Sequence, residues 1–455
     1  MNPIFFSKAF NAIRGHLKDR PTLKLVSINS GWLIGDKLLR LFIGLFVSAW
    51  VARFLGPDQY GKLAYVIAFL AMFHVFSRLG LDSIIVRDIA KELGIANQVL
   101  GTAFRLRLCA SAFSFAAACL AIYVIFPKNI EYNLLVITIG FGIVFQTADI
   151  VDLWFQSQSQ SRRTVIAKVI SYVIAAAVKV VLIVTGAPLW LFAAAIGGET
   201  ALSAVALYIS YKKYPVSRRW AWNTVVAREM LHQSYPLLLS GMSIIIYMKS
   251  SQLIINALEG SVAVGIYSSA QLLSELWYFL PMTIVASVAP VIARKKSESE
   301  MVYTAALQNV FGLMWLISLS ISVVIAVSSG LIVKVLFGDA YSGAAVILSI
   351  HIFSLIPVCI GVTQSLWLIN ENKSFLALYQ ALAGAISSIG LNFLLISKYG
   401  IVGGAIATVV SQFIQAFLVN ALLAPSLFRI QVKSLIELMS QIWHFSSSIV
   451  IKRIV

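Results

Sequence analysis

Three ionisable residues interrupt an apolar segment near the start of the chain. Asp36, Lys37 and Arg40 fall within residues 29–53, which are otherwise apolar enough to cross a bilayer. A charge at the centre of a membrane helix costs about 2.5–3.5 kcal/mol on insertion scales, so it is rare without a function or a counter-charge. Lysine and arginine there suit an anionic ligand, and arginine offers paired donors to phosphate oxygens. Binding of an anion is the first chemistry that these residues suggest.

The same residues also have a purely structural interpretation. Asp36 and Arg40 are spaced as an i,i+4 pair, so they can neutralise each other on one helix face. Lys37 can extend its side chain to the membrane surface. Both interpretations stay open at this point.

A further lysine lies deeper in the predicted membrane region. At about 1.5 Å per helical residue, Lys249 is about 16 Å from the turn at Gly260 and therefore near the midplane. Glu275, on the adjoining predicted helix, is its expected counter-charge, and an anionic ligand could compete for the same lysine. We therefore predict that Arg40 and Lys249 contact an anionic ligand, that Lys37 assists, and that Asp36 and Glu275 supply the counter-charges.

Other charged residues within apolar segments are predicted to be structural. Lys179 and Glu199 fall at similar depths in adjoining helices and are expected to pair. Interfacial ion pairs are expected for Arg78, Asp82, Asp149 and Asp152. The five histidines are scattered without ligand spacing, so we predict neither a catalytic nor a metal site.

Composition places these residues in an integral membrane protein. Hydrophobic residues make up 60% of the chain and charged residues 12%, compared with about 25% charged residues in a soluble domain. Apolar runs of spanning length predict about twelve transmembrane helices, near residues 30–53, 61–80, 104–126, 133–156, 164–185, 188–210, 235–257, 262–292, 304–336, 342–369, 374–397 and 401–424.

Basic residues alternate between the predicted loops. They concentrate in every second connection, which predicts that those connections and both termini are cytoplasmic. Examples are Arg87, Arg162, Lys212, Arg219 and Lys295. This distribution explains the formal net charge of +17 without a nucleic-acid partner.

The segments between the helices complete the predicted organisation. Phe6, Phe10, Ile13 and Leu17 recur at helical spacing, which favours an amphipathic helix on the cytoplasmic membrane surface over a disordered basic tail. The predicted units are a cytoplasmic amphipathic segment 1–28, an N-lobe 29–210, a cytoplasmic linker 211–230, a C-lobe 231–424 and a cytoplasmic C-terminal segment 425–455.

The two halves of the chain resemble each other. Gly56 and Gly61 are displaced by 204 residues from Gly260 and Gly265, and residues 190–196 align with residues 400–406 at an offset of 210. Two matches at nearly one offset indicate a duplicated six-helix unit. Because six is even, the repeats are parallel, and a substrate path would lie between the lobes.

Five short segments carry a resemblance that extends over the whole chain. They are Val51-Ala-Arg-Phe-Leu-Gly-Pro-Asp-Gln-Tyr-Gly61, Leu79-Gly-Leu-Asp-Ser-Ile-Ile-Val-Arg-Asp-Ile-Ala90, Gly260-Ser-Val-Ala-Val-Gly-Ile-Tyr267, Phe337-Gly-Asp-Ala-Tyr341 and Tyr399-Gly-Ile-Val-Gly-Gly-Ala-Ile-Ala-Thr408. They resemble bacterial O-antigen and polysaccharide flippases of the multidrug/oligosaccharidyl-lipid/polysaccharide (MOP) exporter superfamily.

This resemblance implies a fold and a function. The expected fold is all-α and MATE-like, with two parallel six-helix lobes around a cavity lined by the first, second, seventh and eighth helices. The expected function is transfer of an undecaprenyl-diphosphate-linked oligosaccharide to the outer leaflet of the bacterial inner membrane. Membrane lipids and other polysaccharide assembly proteins are the implied partners, without a cofactor but with possible coupling to an H⁺ or Na⁺ gradient.

Three other functions remain open from the sequence. A cation-coupled multidrug exporter of the same fold would favour carboxylates in its cavity, whereas Lys37, Arg40 and Lys249 favour an anion. A membrane enzyme of polysaccharide assembly would need a positioned nucleophile, base or metal, and no such constellation is visible. A lipid scramblase without a glycan preference is the third.

Overall fold

The computed structural model describes residues 21–214 and 219–454, with side chains for residues 31, 32, 35–214 and 219–440. The predicted N-terminal amphipathic helix, with Phe6, Phe10, Ile13 and Leu17, lies outside the described residues, as do residues 215–218 of the predicted linker. Every regular element within these ranges is helical. Helices are expected for such apolar segments because a helix satisfies its own backbone hydrogen bonds in the absence of water.

The helices of the first half form one lobe. In chain order they are α1 (Pro21–Arg78), α2 (Asp82–Lys91), α3 (Ala96–Ile125), α4 (Ile130–Gly140), α5 (Gly142–Phe145), α6 (Ile150–Ser157), α7 (Arg162–Val184) and α8 (Leu189–Lys213). A 3₁₀ turn over Gln146–Asp149 joins α5 to α6, so α4 to α6 make one crossing.

The helices of the second half form the other lobe. They are α9 (Thr224–Glu259), α10 (Ser261–Glu275), α11 (Phe279–Glu298), α12 (Glu300–Phe337), α13 (Ala344–His351), α14 (Leu355–Asn370), α15 (Ser374–Phe413), α16 (Val419–Leu423) and α17 (Pro425–Ile454). The 3₁₀ turns Leu276–Tyr278 and Ile352–Ser354 join α10 to α11 and α13 to α14.

The described chain crosses the membrane region twelve times. Ten helical segments are long and apolar enough to span it, and two of these, Gly35–Lys91 and Ser374–Leu423, contain 57 and 50 residues. Each of the two is long enough for two crossings of about 20 residues. Each also turns at a glycine with positive φ, 73° at Gly56 and 56° at Gly400, a conformation that glycine adopts without steric cost. The all-α fold of two six-helix lobes predicted from the sequence is confirmed.

The internal repeat is visible in the backbone. Gly56 has φ and ψ of 73° and 168°, and Gly260 has 85° and −178°, so the two equivalent turns share one conformation. The second glycine of each pair lies where the lobes touch. A Cβ on Gly61 would collide with the Ser261 carbonyl, and a Cβ on Gly265 would collide with the Pro57 carbonyl. The repeated pairs therefore meet each other across the interface between the lobes.

The hydrophobic cores show how the lobes are arranged. We call the side that bears the Gly56 turn the outer side, as the predicted orientation has it. One core near that side contains residues of both lobes, such as Ala52, Leu63, Ile255 and Tyr267. Towards the inner side, one core lies around Trp154 in the N-lobe and includes Met230 of α9, and another lies within the C-lobe. The lobes thus share a large core at the outer end, and at the inner end they also touch, where Gly80 lies against Ser234 and Leu238 of α9.

Candidate functional site

A cavity of about 650 Å³, the inner chamber, lies between the lobes. The second half of α1, together with α4 and α8, forms its N-lobe wall, which includes His74, Arg78 and Thr200. The inner half of α9 forms the facing wall, which includes Leu238 and Ile245. Most of the remaining lining is aliphatic, so the ionisable groups of the chamber are concentrated near its Arg78 end.

A smaller cavity of about 230 Å³, the outer chamber, continues from the inner one. Ile67 and Ile196 line both, so the two chambers are adjacent. The outer chamber is the more polar of the two, because its walls include lysine, glutamate, glutamine and serine side chains. The charged residues among them are Lys179, Lys249 and Glu275.

A third cavity, the side chamber of about 160 Å³, lies within the N-lobe. It shares Arg78, Gln146 and Thr200 with the inner chamber, so the two chambers are adjacent. Its other walls carry the charged side chains of Arg40, Asp149, Lys168 and Glu199. The inner chamber thus adjoins both the outer chamber and the side chamber, and we refer to the three together as the cavity.

Contacts between the lobes close this cavity at its outer end. The Ser261 hydroxyl donates a hydrogen bond to the Asp58 carboxylate. The Tyr341 hydroxyl donates to the Ala52 carbonyl at 2.7 Å, and the Tyr132 hydroxyl donates to Asn256 Oδ1 at 3.2 Å. With the glycine contacts described above, these bonds seal the cavity from the outer side.

Lys249 forms the ion pair that its depth predicts. Its Nζ lies 3.4 Å from Glu275 Oε2, and Gln271 donates to Glu275 Oε1 at 2.6 Å. The lysine and glutamate side chains are 20% and 25% exposed and line the outer chamber. Because both stay accessible from the chamber, a ligand can compete with Glu275 for the ammonium group. The ligand-binding roles of the two residues stay predictions.

Lys179 forms a matching pair from the opposite lobe. Its Nζ lies 3.3 Å from Glu199 Oε2, as the sequence predicts. It also lines the outer chamber with Lys249, whereas Glu199 lines the side chamber. Sequence reasoning treated this pair as structural and did not place Lys179 beside Lys249. Lys179 lies seven residues before the turn at Gly186 and Lys249 eleven residues before the turn at Gly260, so their spacing gave no signal of a shared cavity.

Arg40 lies in a different branch of the cavity from Lys249. Its Nε donates to Asp36 Oδ1 at 2.6 Å, and its guanidinium lies 5.0 Å above the Tyr172 ring. Its buried Nη2 makes no hydrogen bond within the part of the chain that the structure describes. Arg40 lines the side chamber, while Lys37 is exposed. The predicted anion contacts Arg40 and Lys249 thus line two different chambers, each of which adjoins the inner chamber.

A network of ion pairs that the sequence only partly indicates surrounds the side chamber. Lys168 Nζ lies 2.8 Å from both Asp149 Oδ1 and Asp152 Oδ2. Arg78 approaches Asp149 at 3.9 Å, and the buried Arg107 pairs with Asp82. The carboxylates were expected to pair, but Lys168 and Arg107 were not identified as their partners. The spacing of Asp149 and Asp152, which puts both on one helix face, was the available signal.

The arrangement can hold an anion. Each cation that lines the cavity has a carboxylate within ion-pair distance, so an entering anion must displace that carboxylate or use a free donor such as Arg40 Nη2. Within the described residues, no group of three His, Cys, Asp or Glu side chains is placed to hold a metal ion.

Comparison with known proteins assigns the family. The family model described as "Polysaccharide biosynthesis protein" (Polysacc_synt_3) matches residues 50–346, more than half of the chain. The chain belongs to this polysaccharide biosynthesis family. No curated protein matches the chain in sequence.

Solved structures identify the fold of this family member. An inward-facing multidrug resistance MATE transporter of the MOP superfamily superposes with a TM-score of 0.72 at 15% identity, over 88% of this chain and 94% of that chain. The lipid II flippase MurJ, in an inward closed conformation, gives 0.69 at 15% identity, over 90% and 91%. An outward-facing MATE transporter gives 0.57 at 16% identity, over 91% and 95%. The MOP superfamily fold predicted from the sequence is confirmed.

Proposed function

We propose that the protein is a flippase that carries an undecaprenyl-diphosphate-linked oligosaccharide, such as an O-antigen repeat unit, to the outer leaflet of the bacterial inner membrane. The observation that supports this most is the outer chamber, where Lys179 and Lys249 from opposite lobes face one cavity. A chain of a polysaccharide biosynthesis family with two accessible ammonium groups at one cavity is suited to an anionic glycolipid.

Substrate binding is expected to proceed by exchange of charge partners. A diphosphate carries more negative charge than one carboxylate, so it can displace Glu275 from Lys249 and Glu199 from Lys179. Arg40 and Lys37 would receive the anion on the inner side, where Arg40 Nη2 has no hydrogen-bond partner among the described residues. Both lobes then hold the substrate, which couples its binding to their relative movement.

Transport would proceed by alternating access. The outer closure consists of the core shared by the two lobes, close glycine contacts and a few hydrogen bonds, all of them between separate helices, so the lobes can separate there without unfolding a helix. A disulfide between cysteines at Gln59 and Ser261 should stop flipping while leaving substrate binding from the inner side intact. Flipping at the full rate in the cross-linked protein would contradict this mechanism.

The direct test is a flipping assay with purified protein in liposomes. The wild type should bring labelled undecaprenyl-diphosphate oligosaccharide to the outer leaflet and leave a labelled phospholipid behind. Lys249→Gln should lower this rate about tenfold or more, because a hydrogen bond to a charged group contributes about 1.5–3 kcal/mol. Lys398→Gln, at an exposed outer position, is the matched control.

Second-site variants separate binding from structural pairing. If Lys249 only balances Glu275, then Glu275→Gln should restore flipping in Lys249→Gln; for a ligand contact it should not. The same logic applies to Arg40→Gln and Asp36→Asn. Arg40→Lys should keep part of the function, because it retains the charge and loses the planar fork. Normal flipping in a stable Arg40→Gln/Lys249→Gln double variant would exclude these contacts.

Orientation is part of the proposal, with both termini in the cytoplasm. A cysteine at Gln59 should react with an impermeant thiol reagent in intact cells, and a cysteine at Lys212 should react only after lysis. The reverse pattern would invert the topology. The position Ser217, also in this predicted linker, lies outside the described residues.

The carboxylates of the cavity favour one alternative. Glu275 lines the outer chamber and Glu199 the side chamber, and organic cations would bind there in a cation-coupled multidrug exporter. Transport of a fluorescent organic cation under an H⁺ or Na⁺ gradient, without glycolipid flipping, would favour that function. For the flippase, the same gradients are the candidate energy sources.

A further inference from the structure

A groove outside the cavity lies between the first half of α1 and the start of α7. It encloses about 510 Å³ and is lined mainly by aliphatic side chains and glycines. Leu39, Ile166 and Ile170 on its walls are exposed. A Cβ on Gly31 or Gly35 would meet no atom within 4 Å, so these glycines leave the groove open rather than fitting a neighbouring helix.

The groove begins at the predicted inner membrane surface. Arg162 holds its guanidinium 5.2 Å above the ring of Trp32 at the inner end. Arginine and tryptophan are both favoured at this depth, where phosphate head groups lie. From Trp32 to Leu39 the groove then runs about 10 Å along α1 towards the bilayer centre, at about 1.5 Å per residue. Its position is that of an acyl or prenyl chain in the inner leaflet.

One wall of the groove is charged. Asp36 lines the groove and is 16% exposed, and its partner Arg40 lines the side chamber behind it. This ion pair is therefore the partition between the groove and the cavity. Lys37 follows Asp36 and is exposed. A surface that meets only bulk lipid tails has no use for such charges, which are costly in hydrocarbon.

We propose that this groove docks the polyprenyl chain of the lipid-linked substrate in the inner leaflet. The inference rests on the proposed function and adds to it a site for the apolar part of the substrate. A long branched chain fits the aliphatic walls, and a diphosphate at its end meets Arg162, Lys37 and, across the partition, Arg40. The prenyl chain thus stays in the hydrocarbon while the polar part is presented to the cavity.

Photo-cross-linking tests occupancy without requiring transport. A photoreactive amino acid at Ile166 is compared with one at Leu108 on α3, because both side chains are 39% exposed and apolar. In vesicles of phosphatidylglycerol and phosphatidylethanolamine, radiolabelled undecaprenyl diphosphate should label Ile166 about tenfold more than Leu108. Equal labelling at the two positions, or competition by added phosphatidylglycerol as strong as by unlabelled undecaprenyl diphosphate, would overturn the proposal.

A filled groove tests its role in transport. Gly35→Phe occupies the open space, and Gly390→Phe is the control, because Gly390 is exposed on α15 and a Cβ there also meets no atom within 4 Å. The wild type and the control should flip undecaprenyl-linked substrate with a KM about tenfold below that of an analogue linked to a single isoprene unit, which is too short to fill the groove. Gly35→Phe should abolish this preference.

The outcomes separate the two proposals. If the wild type flips the substrate and Gly35→Phe keeps the same chain preference, the groove is not the docking site, but the proposed flippase function is unaffected. Absence of flipping by the wild type would overturn the proposed function, and selective cross-linking at Ile166 would still show whether the prenyl chain binds. Were Gly35→Phe not to fold, the cross-linking result at Ile166 would decide.

Discussion

The two lobes share a fold but bury different polar groups. In the N-lobe several partly buried ion pairs lie close together, as in the Lys168 pairs with Asp149 and Asp152. Among the described residues, the C-lobe has the single pair Lys249–Glu275 at the outer chamber and, further inward, a set of buried amides. Gln380 donates to Asn420 at 2.6 Å, Asn420 donates to Gln364 at 2.8 Å, and Gln364 donates back to Gln380 at 3.1 Å.

The amide ring of the C-lobe is buried and extends to a fourth amide, because Asn420 also donates to Gln431 on α17 at 3.3 Å. Each of its three members is buried, and each both donates and accepts within the ring. The N-lobe network, by contrast, lines an open chamber and leaves the buried Arg40 Nη2 and Gln146 Oε1 without partners among the described residues. A closed neutral ring fixes helix positions, whereas charges around a chamber can change partners when an anion enters.

This difference suggests a division of roles after duplication. The C-lobe ring joins α14, α15 and α16, and its neutral groups impose a small desolvation cost once they are bonded. The N-lobe retains charges whose cost is justified only if they act on a ligand or a conformational change. We therefore expect the N-lobe to respond to ligand binding and the C-lobe to act as the more rigid support.

The largest predicted effect is the loss of Lys168. Lys168→Met leaves Asp149 and Asp152 without their shared cation, so we expect a loss of about 3–5 kcal/mol in unfolding free energy, as for a broken buried pair. Unfolding in mixed micelles measures it. Adding Asp149→Asn and Asp152→Asn should recover most of the loss, and a failure to recover would mean that Lys168 acts through packing instead.

A smaller effect is predicted for the amide ring. Asn420→Leu leaves Gln380 and Gln364 each without one ring partner, which should cost about 1–3 kcal/mol in the same unfolding measurement. Flipping by the folded fraction should stay near the wild-type rate. A loss as large as that of Lys168→Met would erase the contrast between the ionic lobe and the neutral lobe.

The paired lysines of the outer chamber should behave alike despite their different lobes. Lys179→Gln is expected to lower the flipping rate about tenfold, as predicted for Lys249→Gln, because both ammonium groups face one chamber. The liposome assay measures both variants beside their thermal stabilities. A purely structural Lys179 would instead lower stability and leave the KM unchanged.

The smallest effect is predicted at the outer closure. Ser261→Ala removes the hydrogen bond to Asp58, which should shift the equilibrium between closed and open outer ends by about 0.5–1.5 kcal/mol. Accessibility of a cysteine at Tyr60 to a thiol reagent reports the opening. Ser397→Ala, whose hydroxyl bonds only to its own helix at the Leu394 carbonyl, should leave that accessibility unchanged.

The sequence determined most of the fold. Apolar runs located the crossings, because a membrane helix must be long and apolar enough to satisfy its backbone without water. The glycine pairs that recur at a constant offset revealed the duplication. The turns at Gly56 and Gly260 have similar backbone angles, as equivalent positions of a repeat should. The depths of Lys249 and Glu275 followed from a fixed rise per residue, so their pairing could be foreseen.

The tertiary structure alone decided which cavity each side chain reaches. Depth is a property of one helix, but the direction of a side chain depends on the packing of helices that are distant in sequence. The sequence therefore indicated the depth of Arg40 along its helix and led us to expect it at the same cavity as Lys249. In the structure the Arg40 side chain packs against Tyr172 on α7 and lines the side chamber instead. The sequence indicated only a structural pair for Lys179, whereas the structure places it in the same chamber as Lys249. The reason is that only the contact between the lobes brings α7 and α9 to one cavity.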